Sequence, residues 1–368
     1  MTTVSRTLQH CRISLKDVAK EAGCSVAVVS TVLNDTKGCS VVSEKLRQRV
    51  TEVARRLDYR PNFASQSLVR GRTNTIGVYN PPGHNMGLGN SYGGRLLAGM
   101  EEACRQRGYD LLLVNMAGQD SSKACLQKLA EHRVDGMIIL RWFLCENLLE
   151  SLPKYASRVV LVDAEAEQKP YHSVVFDNAG AIECAVEHLV QQGHRRIGFL
   201  GSCLAQPQQP WVLREEGYLR AMRRLGIPID ERLLHNRSIT PLNMTLDDEY
   251  CQAEGELGMR YLLSLGSDRP TAVISYNDLV AVNACRICIE SGVAIPSEMS
   301  MVGMGDSERC QYVRPMLTSL HHPLEEMGQC AAEYLIDVVE TGQSVSTSSH
   351  VEPFAAHIVS RESVKPFI

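Results

Sequence analysis

Hydrophobic positions in the first 60 residues recur at helical spacing, whereas beyond residue 74 they gather into short continuous runs separated by helical stretches. In the first zone Ser14-Leu15-Lys16-Asp17 reads as a capping box: the Ser14 oxygen takes a free first-turn amide and Asp17 reaches back. Val18, Ala19 and Ala22 give that helix one apolar side, and Gly23 ends it with a backbone that tolerates positive φ. Ser25 then caps a second helix, 26–34. Helices joined so tightly must cross steeply, which is the helix-turn-helix arrangement. On the second helix Val29, Val32 and Leu33 form an inward stripe, leaving Val26, Ala27, Ser30 and Thr31 outside. A third helix starts at Ser43 and carries Leu46, Val50, Val53, Ala54 and Leu57 on one face. Lys45, Arg47, Arg49, Arg55 and Arg56 lie mostly elsewhere on it, as a solvated face or a phosphate contact.

In the second zone strand-like runs alternate with helical ones. Ile76-Gly-Val-Tyr79 precedes a helix over 93–108, and Leu111-Leu-Leu-Val114 precedes one over 121–132. Gly136-Met-Ile-Ile-Leu140 and Val159-Val-Leu-Val162 follow. A second set begins after Asp177-Asn178: helix 179–192, strand 197–200, helix 214–225, strand 272–275, helix 278–291 and strand 300–303. Such alternation means parallel sheets covered by helices, here as two halves bracketing a cleft. Ligands in open α/β sheets bind outside the carboxyl ends of the strands. The Gly-rich loop 79–94 reads as a rim of that cleft.

Composition changes this picture in one respect. The chain of 368 residues has a net charge of −4, yet its first 72 residues hold thirteen Lys+Arg against six Asp+Glu, so a +7 head sits on a −11 body. A basic head suggests a nucleic-acid contact. The outward stripe of the second helix is the candidate reader of base edges, and its small side chains imply thin direct readout. Residues 1–10 lack the apolar core of a signal peptide and no run approaches the ~20 apolar residues of a membrane span, so a cytosolic location and no membrane partner are expected. The thirteen cysteines are scattered, and Cys285-Arg-Ile-Cys288, with no second Cys/His pair, reads as core packing rather than metal or redox chemistry.

The run ISLKDVAKEAGCSVAVVSTVLN from Ile13 to Asn34, with Val42-Ser-Glu-Lys-Leu-Arg47 and Leu57-Asp-Tyr-Arg-Pro-Asn62, closely resembles the DNA-binding head of LacI/GalR-family bacterial transcription regulators. The resemblance implies DNA contacts at Ser25, Val26, Ala27, Ser30, Thr31 and Asn34. Val28 stands where the family usually has Thr, and 35–41 is longer than the family pattern. Residues 61–73 are too short to hold a helix as an isolated peptide. In the resembled family this segment is a hinge helix that forms when two protomers pair on DNA. Leu68 matches the leucine wedged into the minor groove, with Ser65 beside it.

The body resembles the same family through Arg133-Val-Asp-Gly136, Gln192-Gly-His-Arg-Arg-Ile-Gly198, Arg214-Glu-Glu-Gly-Tyr218, Asn277-Asp278, Gly303-Met-Gly-Asp306 and Ser360-Arg-Glu-Ser363. The implied architecture is a small all-α helix-turn-helix head (1–60), a hinge (61–73) and an α/β periplasmic-binding-protein-like body (74–368) of two interleaved parallel-sheet subdomains. Asp163, Arg214 and Asp278 match effector-binding positions. Asp278 offers two acceptor oxygens for a pair of hydroxyls and Arg214 a planar fork of donors. Trp211, in a Pro/Gln-rich loop, is either a stacking face or a loop anchor. His322 falls where the family often has Gln, and Leu140, followed by Arg141 and Trp142, replaces a common amide side chain.

The function expected is an effector-controlled regulator that binds a palindromic operator as a homodimer. A sugar-like effector leads, since carboxylate plus guanidinium suits vicinal hydroxyls; a nucleobase or nucleoside is the alternative. A solute-binding protein with no DNA role leaves the basic head unexplained. An enzyme is not expected, for the sequence holds no Walker loop, no Gly-x-Ser-x-Gly elbow and no paired zinc motif. No catalytic residue, metal or cofactor is implied.

Overall fold

The computed structural model describes residues 13–33, 42–80, 90–114, 121–140, 153–163, 171–201, 210–235, 248–342 and 353–367. Asn34, Arg141, Trp142 and most of the loop 79–94 therefore lie outside the described residues. The chain forms two compact units, Met1–Thr73 and Asn74–Ile368.

The first unit holds α1 (Leu15–Ala22), α2 (Val26–Leu33), α3 (Glu44–Arg56) and α4 (Phe63–Arg70). Its core is Val18, Ala19 and Ala22 from α1, Val29 and Val32 from α2, and Val50, Val53 and Ala54 from α3, the stripes the spacing marks out. Asp17 accepts the Ser14 amide at 2.8 Å. The capping box forms as expected, and the Ser14 hydroxyl in addition donates to that same carboxylate at 2.7 Å. Gly23 ends α1 at φ 65°. The hinge segment is helical although too short to be stable alone: the Asn62 carbonyl accepts the Gln66 amide at 3.0 Å, and none of the described side chains of α4 is buried.

The second unit contains two sheets. The first is all parallel in the order β2 (Asp110–Val114), β1 (Thr75–Tyr79), β3 (Gly136–Leu140), β4 (Val159–Val162), β5 (His172–Val174). The second runs β11 (Ile358–Val359), β10 (Thr318–His321), β9 (Ser300–Gly305), β8 (Ala272–Ser275), β6 (Ile197–Leu200), β7 (Leu234–His235), with β11 alone antiparallel. Alternate residues of the first sheet serve two layers. Ile76, Val78, Ile138, Leu140, Val160 and Val162 join the large core shared with the second sheet. Tyr79, Met137, Ile139 and Leu161 turn to a smaller core under α6 (Ser121–Ala130), with Cys125 and Leu129.

Helices pair across these layers as α5 (Ser91–Arg107) with α12 (Leu324–Thr341), α7 (Asn178–Gln191) with α8 (Pro210–Arg224), and α9 (Asp248–Ser264) with α10 (Asp278–Glu290). A glycine sits at each crossing. A Cβ on Gly99 would run into the Glu325 carbonyl, one on Gly217 into that of Ala179, and one on Gly255 would stand 2.6 Å from that of Val280. Side chains cannot be added there without separating the helices.

Several elements escape the sequence reading: β5, β7, α9, α12, β10, β11 and the short α11 (Arg309–Tyr312). The most consequential is α12, which packs on α5, β3 and β4 and so returns the chain to the first subdomain after the second sheet is nearly complete. The chain crosses between subdomains at 175–177, at 322–323 and before β11, where Phe354 forms a parallel bridge with Phe176. α8 starts at Pro210 rather than at 214, since proline is suited to a first helical turn. Trp211 is therefore a helical residue packed against the core rather than a loop residue. Cys285 and Cys288 are buried on α10, and burial pushes the Cys288 thiol up to about 12. No helix among the described residues is long and apolar enough to cross a membrane.

Candidate effector cleft and DNA-reading face

In the head, α2 turns Val29 and Val32 inward and leaves Val26 40% exposed with Ala27 beside it, while Ser30 and Thr31 are half-buried. Ser25 caps the helix start: its hydroxyl oxygen accepts the Val28 amide at 3.3 Å. Around this face α3 presents exposed arginines, one of which, Arg56, pairs with Glu21 at 2.5 Å. On α4 the pair Ser65 and Leu68 lies one helical turn apart, both exposed, and Leu68 at 85% is the most exposed large apolar side chain of the described residues. A leucine so placed gains nothing from the fold itself.

In the body, the carboxyl ends of β4 and β8 and the crossovers carry the polar groups. Asp163 follows β4 in a left-handed turn at φ 56°. Its amide is held by the Val174 carbonyl at 3.0 Å, and its carboxylate accepts the Tyr92 hydroxyl from the start of α5. Arg214, one turn into α8, donates through Nε to the Asn178 side chain at 2.9 Å and through Nη1 to the Tyr276 carbonyl, just past β8, at 2.6 Å. No carboxylate among the described residues pairs directly with it. Burial pulls the guanidinium below its ordinary value, opposed first by Asp163 and then by Tyr276, Tyr92 and Asp278. An acid from one subdomain and a guanidinium from the other thus face the same space.

His322 belongs to the crossover itself. Only 4% exposed, its ring stacks on Phe176 at 3.9 Å between centroids and meets Tyr92 edge-on at 6.1 Å. Its Nε2 is buried and has no hydrogen-bond partner among the described residues. Burial, then the neighbouring Arg214, Arg95 and His321, hold its pKa well below the ordinary imidazole value, so the ring is neutral.

Asp278 differs from its expected role. Each of its oxygens is already engaged within the second subdomain: Oδ1 accepts the Ser319 hydroxyl at 2.5 Å and Oδ2 the Ser307 amide at 2.7 Å. The glycines at 303 and 305 leave room for the carboxylate. Burial raises its pKa against those bonds. The α10 cap is Asn277, whose side chain accepts the Val280 amide at 2.8 Å. Asp278 therefore anchors the loop after β9 rather than standing open to a pair of hydroxyls. Tyr92, Phe176, Asn178 and Tyr276 were missed by sequence reasoning. Tyr276 had a signal, since it directly follows a strand carboxyl end; Phe176 and Asn178 flank the Asp177 that opens α7.

Comparison with known proteins gives the family. The model for bacterial regulatory proteins of the lacI family matches residues 14–62, and that for a periplasmic binding protein-like domain matches 186–364. The HTH-type transcriptional repressor PurR of Edwardsiella ictaluri is 31% identical over 363 residues, covering 96% of this chain and 98% of its own. The HTH-type transcriptional regulator RegA of Clostridium saccharobutylicum is 30% identical, covering 89% and 92%. The lac repressor dimer bound to operator and the anti-inducer ONPF superimposes with a TM-score of 0.73 at 25% identity, covering 96% and 99%. A CelR–cellobiose complex does so at 0.64 and 26%, covering 96% and 100%. With a helix-turn-helix head, two parallel-sheet subdomains and full-length relatives at this identity, the chain belongs to the LacI family: it is a DNA-binding transcriptional repressor and not an enzyme.

Proposed function

We propose that a small polar molecule, a sugar in the first instance, binds between Asp163 and Tyr92 on one subdomain and Arg214, Tyr276 and His322 at the other and at the crossover, and that it changes operator affinity. The observation carrying this reading is the half-buried Arg214 fork, fixed by two neutral acceptors, with donors to spare and an opposing carboxylate across the cleft. Hydroxyls that donate to Asp163 and accept from Arg214 match that polarity. A ligand shifts DNA affinity only by its differential affinity for the open and closed bodies, typically ~1–3 kcal/mol. Ser25, Val26, Ala27, Ser30, Thr31 and Asn34 read the operator, with Ser65 and Leu68 in its minor groove. The operator is palindromic and the protein a homodimer, since one small-residue reading face holds a unique site weakly.

A second reading, a nucleobase or nucleoside, is supported by the flat Phe176–His322 stack, to which Trp211 adds an aromatic surface close to Arg214 in sequence. A thermal-shift series with cellobiose, other disaccharides and hypoxanthine separates the two. A ligand at 100 times its Kd adds about 2.7 kcal/mol to the native state. The stabilisation should be lost in Arg214→Ala; a ligand that raises the melting temperature equally in that variant places the site elsewhere.

A further inference from the structure

One arginine outside the predicted site ties its parts together. Arg95, on the second turn of α5, makes a two-pronged pair with Glu325 at the start of α12, Nε to Oε1 and Nη2 to Oε2, both at 2.7 Å. The same fork reaches two backbone carbonyls: Gly305, at the end of β9 in the other subdomain, from Nη1 at 3.0 Å, and His322 on the crossover from Nη2 at 3.1 Å. Its side chain is 21% exposed. Three chain segments from both subdomains thus converge on one planar group, geometry that lysine, a point charge on a flexible stem, cannot reproduce.

What those carbonyls belong to gives the contact its meaning. Gly305 opens the loop that engages Asp278: the Asp306 amide donates to Ser319 Oγ at 3.1 Å and the Ser307 amide to Asp278 Oδ2 at 2.7 Å. Asp306 in turn holds Arg361 at 2.5 Å and His321 at 3.2 Å. The other carbonyl fixes the residue whose ring stacks on Phe176.

We propose that Arg95 is a positioning residue of the effector cleft: it locks the Gly305–Ser307 backbone of one subdomain to α5 and α12 of the other, and it fixes the His322 backbone so that the ring stays stacked on Phe176 with the guanidinium charge beside it. This inference rests on the cleft being the effector site, but its test requires neither effector nor operator.

The charged and titratable groups facing His322 are Arg214 from α8, Arg95 and Tyr92 from α5, Glu325 from α12 and His321 beside it in sequence. Removing a like charge raises the pKa of a neighbouring base, by about one unit or more at close range. The experiment is an NMR titration of the His322 imidazole, assigned by loss of its signals in His322→Gln, in the full-length chain, in Arg95→Gln and in Arg95→Lys. Arg95→Gln should titrate about one pH unit higher than the unaltered chain, whereas Arg95→Lys, which keeps the charge, should not. Amide hydrogen exchange supplies the second arm: Arg95→Lys cannot hold both carbonyls, so exchange at the Asp306 and Ser307 amides should quicken about tenfold. Coincident titrations in the unaltered chain and Arg95→Gln, or unchanged exchange in Arg95→Lys, overturn the proposal. Should Arg95→Gln fail to fold, the lysine variant alone decides it.

Discussion

At the scale of single residues, burial sets the chemistry. His172 on β5 stacks on Tyr334 at 3.4 Å between centroids, and burial lowers its pKa to about 4. Its folded value lies below the ordinary 6.5, so the unfolded chain binds the proton first. The contribution is intact above about pH 6.5 and is lost as pH falls towards 4. His172→Phe keeps the stack and removes the proton, so its melting temperature should drop less than that of the unaltered chain between pH 7.5 and pH 5; equal drops would show that another group carries the effect. The residue types at the cleft were legible because Asp163, Arg214 and Asp278 stand at positions that match the family's effector-binding pattern. Their bonding was not. Asp278 looked like a ligand because nothing local showed that Ser319, 41 positions away, would engage it. Arg95 left no trace because its partners lie 210 to 230 positions along the chain.

At the scale of elements, legibility followed the period of the apolar residues. The three head helices and the inner strands appeared because Val18, Val29 and Val50, or the run Ile76-Gly-Val-Tyr79, carry the pattern without help. The helix α12 follows the same rules, but the sequence reading stopped at β9 and missed it. The α5–α12 crossing depends on reciprocal glycines, with Gly328 set against the Leu96 carbonyl as Gly99 is against that of Glu325. Gly99→Ala should therefore lower stability by about 1–3 kcal/mol through overpacking, read as a lower denaturant midpoint; an unchanged midpoint would mean that the helices separate freely. On α4 the exposed Leu68 yields a different expectation. Leu68→Ala should leave stability unchanged and weaken operator binding about tenfold to a hundredfold, with little loss on nonspecific DNA. Equal losses on both would remove the wedge.

At the scale of the whole molecule, the charge division assigns the work. A chain cut to residues 74–368 should unfold cooperatively, elute as a dimer and bind ligand, yet show no DNA affinity even at low salt, because the −11 body repels phosphates. Monomers on gel filtration would place the dimer contact in the head and hinge.

The late return of α12 to the first subdomain also has a consequence for synthesis. The first sheet is finished at Val174, but the helix that packs on β3, β4 and β5 begins at Leu324, and at roughly 5–20 residues per second the ribosome needs on the order of ten seconds or more to reach it. During that interval α5 alone shares the core with Ile76, and Ile138 and Val160 lack the helix that packs on their strands. The nascent chain therefore carries a half-covered apolar sheet until α12 emerges, the kind of surface through which a growing chain associates with others.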